Sequence, residues 1–351
     1  MEIIGIEIPP LKSKEILVRN ELATLCRSDI ATYSGKRLEP TPTILGHEVV
    51  GRIYSFGPDA YPVDLRGTAI DVGDRITWGI FASDPTSEIA KRGMPQKGAD
   101  RFKYGHEQIA CGKTLHGGLS EYIILRPNTP IIKISEDVPV SVAAITNCAV
   151  ATVAGAFRLA GNVKDRRVLI AGAGMLGILA CAFAHHSGAT SVGAMDIDAQ
   201  RLETAKRFGA DYTIEVRRNI DAQEDSQQWH YRSGEPRNPV DVVIEASGVP
   251  STMEETLEMM AIGGIAVWIG AVTPCRPLSI NAEYIVRNLL SVRGLHNYNT
   301  DDFRNAVEFI EKYHRSFPLR ELIHDHFALD QIDQAFRYAI DANPYRVGVR
   351  L

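Results

Sequence analysis

The chain has 351 residues, 45% apolar and 23% charged, and a net charge of −5 from 38 basic and 43 acidic side chains. At about 150 residues per domain this suggests two domains, and the composition excludes a disordered chain, a collagen-like repeat and a coiled coil. The charge is too mild and too evenly spread to favour nucleic acid, and no apolar run reaches the ~18 residues of a membrane span, so neither partner is expected.

From Met1 to Arg19 the sequence alternates like a strand (Ile4, Ile6, Ile8, then Ile16, Leu17, Val18). It carries acids and lacks the basic-then-apolar order of a signal peptide. Five cysteines, an odd number in so long a chain, argue for a reducing compartment over a disulfide framework. A cytoplasmic location is therefore expected.

To about Asn147 the chain is dense in Gly and Pro, with short β-rich runs at Glu15–Val18, Val49–Tyr54, Arg75–Trp78, Ser120–Leu125 and Pro130–Ile134. Such runs predict an irregular, mostly antiparallel barrel or sandwich. Strands at Val168–Ala171, Ser191–Asp196, Val240–Glu245 and Ile265–Gly270 then alternate with helices at Met175–His186, Ala199–Phe208 and Ser251–Met260. This is the rhythm of βαβ units on a parallel sheet. From about Gly294 the tail is helical again (Asp301–His314, Asp330–Ala342) and ends in the strand-like Arg346–Leu351. The polar, Gln-rich Arg217–Pro239 reads as an exposed connection.

The run from Val168 through Gly172, Gly174, Met175 and Leu176 to Gly177 is a GxGxxG placed after a strand and at the start of a helix. Gly172 permits the tight turn, Gly174 lets a pyrophosphate approach the backbone, and Gly177 lets helix and strand pack closely. Asp196 ends the next strand, where an acid bonds the adenosine ribose and repels a 2′-phosphate. NAD(H) is thus favoured over NADP(H), with Arg201 nearby as a counter-charge. Ser247 and Gly270 follow later strands, at the carboxyl edge where such sheets bind the nicotinamide half.

Cys26, His47, Glu48 and Cys148 have the ligand chemistry of Zn²⁺, although spacing alone leaves a metal site open. They stand in an ordered series: Cys26-Arg27-Ser28-Asp29, Gly46-His47-Glu48-Val49-Val50-Gly51, Gly73-Asp74-Arg75-Ile76 and Gly117-Gly118-Leu119-Ser120-Glu121-Tyr122, all ahead of the GxGxxG. This series resembles the zinc-dependent alcohol dehydrogenases of the medium-chain dehydrogenase/reductase superfamily over nearly the whole chain. The resemblance implies an α/β protein, with a GroES-like β-rich catalytic domain at residues 1–149 and 294–351 and a doubly wound Rossmann NAD-binding domain at 150–293. It implies catalytic zinc on Cys26, His47 and Cys148, with Glu48 as an alternating fourth ligand or close neighbour. It further implies that Asp29 buttresses His47, Ser28 contacts the substrate oxygen and Arg27 pairs with the cofactor pyrophosphate. Pro95-Gln96-Lys97, Lys103-Tyr104-Gly105-His106-Glu107 and the run from Asn147 to Thr152 look like a branch associated with phosphonate metabolism, which implies a hydroxyalkyl-phosphonate or related polar alcohol.

The chain departs from the family pattern in several places. Many relatives carry a structural zinc on four cysteines, but no cysteine lies between Asp74 and Lys103. One catalytic zinc per chain and no structural zinc are therefore expected, with the lobe Phe81–Arg101 held by packing, charge pairs or a neighbouring subunit. Ala31 stands where many relatives place a proton-relaying histidine, so the proton must leave through Ser28 and a ribose hydroxyl, or directly to solvent. The N-terminus looks short by a hairpin.

Other residues have plainer readings. His185 and His186 belong on a helix surface, His324 and His326 on a strand or loop face, and Cys111 is a lone thiol. Trp78 could be pocket wall or core, and His106 and Glu107 could border the substrate. The Rossmann edge near Pro277–Ile280 suits pairing into a homodimer or homotetramer. The reading is an NAD-dependent zinc alcohol dehydrogenase acting on a small polar alcohol. A zinc-free reductase of the same superfamily and a non-catalytic NAD-binding protein are the alternatives.

Overall fold

The computed structural model describes residues 1–110, 115–218, 229–231 and 239–351. It divides into two compact units, one of Met1–Ala151 with Asn297–Leu351, the other of Thr152–His296. The first is built on a seven-stranded, mostly antiparallel sheet. Ile16–Thr24 is its centre, paired with Glu48–Phe56, Tyr122–Leu125 and the C-terminal strand Arg346–Arg350. Inward faces of these strands join the helix Ile332–Asp341 in one core around Val18, Val49, Ile76, Trp78, Ile123 and Phe336. Trp78 is fully buried there and is core. Together these features form a GroES-like domain.

The second unit carries a seven-stranded sheet. In spatial order it runs Trp229–Tyr231, Tyr212–Arg218, Ser191–Asp196, Arg167–Ala171, Val240–Glu245, Met260–Trp268 and Ser291–Gly294. All pairings are parallel except that of the outermost Trp229–Tyr231. The order reverses at Arg167–Ala171, which gives the switch point of a Rossmann fold. Buried on both faces, the central strands read as nearly unbroken apolar runs. The polar stretch Arg217–Pro239 supplies part of Tyr212–Arg218 and all of Trp229–Tyr231; its remaining residues 219–228 and 232–238, like Cys111, lie outside the described residues.

Two expectations are corrected. Residues 1–13 form no strand, and Ile3, Ile4 and Ile8 are exposed. Alternation makes a strand only where a neighbour supplies the hydrogen bonds, and here none pairs until Ile16. Secondly, Val140–Ala160 is a helical stretch of 21 residues, long and apolar enough to cross a membrane, with 89% of its most apolar window buried inside the protein. That burial is what a core helix shows.

The lobe that lacks the structural cysteines is closed by local pairing. Phe81–Ala82 pairs antiparallel with Phe102–Lys103, and Asp100 Oδ2 accepts the Asp84 N–H at 2.7 Å. The Asn299 amide reaches Gly93 O at 3.2 Å, which ties the lobe's short helical turn to the later chain.

Gly177 shows the strictest steric demand in the second unit. A Cβ there would lie 1.7 Å from Gly172 O, inside the turn that joins Arg167–Ala171 to the helix Met175–His186. Gly177→Ala, despite alanine's better helix propensity, should therefore cost about 1–3 kcal/mol by overpacking. It should also weaken NADH binding about tenfold or more, as measured by fluorescence titration, because the turn shapes the phosphate cradle. Unchanged affinity would refute that.

Candidate active site

Cys26 caps the short helix Arg27–Tyr33, and Asp29 in its first turn organises the surroundings. One Asp29 oxygen accepts the Cys26 N–H at 2.9 Å; the other accepts the Gly46 N–H at 3.2 Å and faces His47 Nδ1 at 3.4 Å. Gly46 has a φ of +91, and a Cβ there would lie 2.8 Å from Leu119 N. The glycine thus lets the chain turn tightly into His47 and the strand Glu48–Phe56. With Nδ1 toward Asp29, the imidazole is oriented so that Nε2 is the atom left for a ligand.

Cys148 comes from an irregularity in the helix Val140–Ala160. Over Thr146–Val150 the backbone widens to a π turn, with Val150 N donating to Ile145 O at 3.3 Å. Asn147 fixes this turn by donating to His47 O at 2.9 Å and Trp78 O at 2.8 Å, and the buried Tyr298 hydroxyl donates to Asn147 O. Main-chain segments bearing two of the candidate ligands are therefore tied directly together.

Cys26, His47, Glu48 and Cys148 present one ligand atom each, all within 4.8 Å of one another. Glu48 is held differently from the rest. Its Oε2 accepts from Arg346 Nε at 2.7 Å and Thr24 Oγ1 at 2.7 Å, and its Oε1 accepts from Arg346 Nη2 at 2.9 Å. Arg346 Nη2 also faces Cys26 Sγ at 3.9 Å. Sequence reasoning missed Arg346 entirely. Nothing in the local run Arg346–Leu351 marks it as the partner of a buried acid.

The electrostatics suit a cation. A hydrogen bond from Cys148, with Arg346 and His47 nearby, holds the Cys26 thiol well below its usual range despite burial. The same bond and burial push Cys148 up. Burial opposes a charged His47, but Asp29 and Cys26 outweigh it and raise the imidazole to about 10. Burial raises Glu48 against the pull of Arg346. The cluster thus draws a proton onto its own imidazole. Two thiols and an imidazole form a soft, nitrogen-and-sulfur donor set that fits Zn²⁺, and a divalent ion would answer the same demand for positive charge.

Ser28 is half-buried in the turn after Cys26, and Ala31 stands one turn further on. Arg27 is exposed and donates to Asn343 Oδ1. His106 is buried, with its ring centroid 5.3 Å from that of His47. Its Nδ1 meets Glu39 Oε1 at 2.9 Å, and burial pulls it down to about 4 despite that contact. Glu107 instead accepts the Lys103 N–H at 3.3 Å. His185 and His186 are exposed, and His324 stacks on Tyr338 with centroids 4.4 Å apart; the side chain of His326 lies outside the described residues.

In the second unit, Gly172 has a φ of +95, and Gly174 leads into the helix begun by Met175 and Leu176. Asp196 accepts the Ala173 N–H at 2.6 Å and the Asp198 N–H at 3.0 Å, so its carboxylate is fixed beside the turn. Arg201 leans over the same turn, 3.8 Å from where a Gly174 Cβ would stand, and 3.5 Å from Asp198. Ser247 donates through its N–H (2.8 Å) and hydroxyl to the buried Glu245, and Gly270 packs against Gly248.

The comparisons agree with this architecture. Residues 12–136 match the alcohol dehydrogenase GroES-like domain, and residues 176–312 match the zinc-binding dehydrogenase domain. An L-threonine 3-dehydrogenase of Aeromonas hydrophila is 28% identical over 335 residues, covering 93% of this chain and 89% of that protein. An alcohol dehydrogenase structure from Thermotoga maritima superposes with a TM-score of 0.86 at 25% identity, covering 98% of this chain and 94% of that one. A zinc-binding dehydrogenase from Sinorhizobium meliloti, solved with NADP, gives 0.82 at 22% identity, covering 99% and 94%.

Proposed function

We propose, for a chain that belongs to the zinc-dependent alcohol dehydrogenases of the medium-chain dehydrogenase/reductase superfamily, that this NAD(P)-dependent oxidoreductase interconverts a small polar alcohol and its carbonyl with NAD(H) as the preferred cofactor. The observation that carries the reading is the convergence of Cys26, His47 and Cys148 within one cluster. These three would hold the metal, and Glu48, engaged by Arg346 and Thr24, would stand behind them. Bound there, zinc supplies a Lewis acid for the alcohol oxygen, a contribution of several kcal/mol. Asp29 would fix the imidazole of His47, and the Ser28 hydroxyl would take the alcohol proton while giving up its own toward solvent. A nicotinamide held by the second unit would supply the hydride acceptor, so that one alcohol and one NAD⁺ would give one carbonyl, one NADH and one released proton.

Preference for NAD is supported by the Asp196 carboxylate at the end of its strand, where it opposes a 2′-phosphate. A polar substrate, of the polyol or hydroxyalkyl-phosphonate kind, is supported by the polar side chains of Arg37, Glu39 and His106, the last with its ring 5.3 Å from that of His47. Some similar proteins are named L-threonine 3-dehydrogenases, and L-threonine is itself a polar alcohol. We read the protein as a cytoplasmic homodimer or homotetramer. The exposed apolar side chains Ile262, Val286 and Leu289 of the second unit support assembly.

The test is metal content by plasma mass spectrometry on protein purified without chelators, followed by a screen of polar alcohols with NAD and NADP. About one zinc per chain is expected, because the described lobe Phe81–Lys103 contains no thiol for a second site. Protein free of zinc that still turns alcohols over would overturn the metal role.

A further inference from the structure

The strand Val240–Glu245 ends in a buried acid that the proposed chemistry does not use. Glu245 is 0% exposed and stands at the carboxyl edge of the second unit's sheet. Its Oε1 alone accepts three donors: the Ser247 N–H at 2.8 Å, the Gly248 N–H at 2.9 Å and the Ser247 hydroxyl. Its main-chain oxygen accepts two more from the loop after the neighbouring strand, the Ile269 N–H at 2.9 Å and the Gly270 N–H at 3.1 Å. Oε2 has no hydrogen-bond partner among the described residues. Burial raises the carboxyl above its usual range against the pull of its donors.

One residue thus holds both loops that leave two adjacent strands, and the fit around it is close. A Cβ at Gly248 would lie 2.6 Å from Gly270 O, and one at Gly270 would lie 2.9 Å from Glu245 Oε2. A Cβ at Gly172 would lie 2.8 Å from Ser247 N, so the Ser247–Gly248 loop packs directly on the GxGxxG turn. The Ser247 hydroxyl is engaged inward. It donates to Glu245 and accepts the Val249 N–H at 3.1 Å, at the start of the helix Pro250–Glu258. A ligand at the carboxyl edge of this sheet meets a surface whose shape Glu245 sets from within.

We propose that Glu245 is a positioning residue for the dinucleotide, holding the loops at Ser247–Gly248 and Ile269–Gly270 against the Gly172 turn through the reach of its side chain. This rests on the cofactor reading above and adds to it a residue that lies outside the glycine fingerprint. Reach decides, and charge does not. An acceptor oxygen at that place satisfies the two N–H groups whether the acid is ionised or neutral, and buried donors left without a partner are costly.

The experiment titrates NADH and NADPH by fluorescence into the zinc-loaded protein and three variants. Glu245→Gln keeps an acceptor oxygen at the same distance and should bind the preferred cofactor within about threefold of wild type. Glu245→Asp keeps the acid but withdraws its oxygens by one methylene, and should weaken binding about tenfold or more. Glu245→Leu, which offers no acceptor, should weaken it at least as much. Zinc content, set by the other compact unit, should stay at the wild-type level in all three. Wild-type affinity in Glu245→Asp, or a loss in Glu245→Gln as large as that in Glu245→Asp, would overturn the assignment. So would a loss of zinc that runs in parallel with the loss of cofactor, because it would mark general unfolding. If Glu245→Leu does not fold, the contrast of Glu245→Asp with Glu245→Gln still decides. Wild-type protein that takes up neither cofactor would bring down the dinucleotide reading and this assignment with it, whereas normal uptake in wild type and Glu245→Asp alike would bring down the assignment alone.

Discussion

Replacing Cys26 by serine should strip zinc from the protein and lower kcat by about three orders of magnitude, while NADH still binds with its original affinity. The size follows from several kcal/mol of Lewis-acid stabilisation at about 1.4 kcal/mol per tenfold. His47→Ala should do the same, because the Nε2 atom that Asp29 orients disappears with the ring. Cofactor binding is spared because the GxGxxG turn belongs to the other compact unit. Cys275→Ser, at an exposed thiol remote in sequence from the cluster, serves as control and should keep its zinc. Metal analysis, steady-state kinetics and NADH fluorescence on the three variants decide the matter. Full activity in Cys26→Ser would exclude a catalytic metal at this cluster.

The second large effect is on stability. Arg346→Met should destabilise the protein by about 3–5 kcal/mol, because it leaves the carboxylate of Glu48 buried without its cation. The pair is 4% and 0% exposed at its side chains, and the arginine makes two hydrogen bonds to the acid. Thr24 alone would remain to solvate the charge. In the double variant Arg346→Met with Glu48→Gln most of that loss should return, since the charge that needed a partner is gone. Urea denaturation of the single and double variants checks this. A double variant no more stable than Arg346→Met would show that packing, and not an orphaned charge, sets the cost.

What could be read from the sequence, and what could not, divides along physical lines. The turn Gly172–Gly177 was legible because its requirement is local: residues without Cβ at fixed spacing between a strand and a helix. Cys26, His47, Glu48 and Cys148 could be nominated from ligand chemistry and order along the chain, and the fold brings them together. Their supports could not be read. The π turn at Thr146–Val150 has no compositional signature. The polar but buried Ser141, Thr146 and Asn147 break the apolar pattern, and so concealed a 21-residue helix. The linked side chains of Arg37, Glu39 and His106 join two stretches far apart in sequence. At the N-terminus the alternation of Ile4, Ile6 and Ile8 imitated a strand, because periodicity reports side-chain order and not whether a partner is present.

The pairing of Glu48 with Arg346 also sets a timetable. The two are 298 residues apart, and the whole second unit is inserted in the chain between them. At ribosomal rates of about 5–20 residues per second, roughly 15–60 s pass between synthesis of the acid and arrival of its cation. The strand Arg346–Arg350, which carries that cation, is also the one that pairs with Leu22–Thr24. A nascent chain therefore completes its dinucleotide-binding unit while the intended metal pocket still holds an unmatched carboxylate and an open sheet edge. The strand Arg346–Arg350 closes both at once, so a chain cut short before it should take up cofactor and fail to finish the pocket.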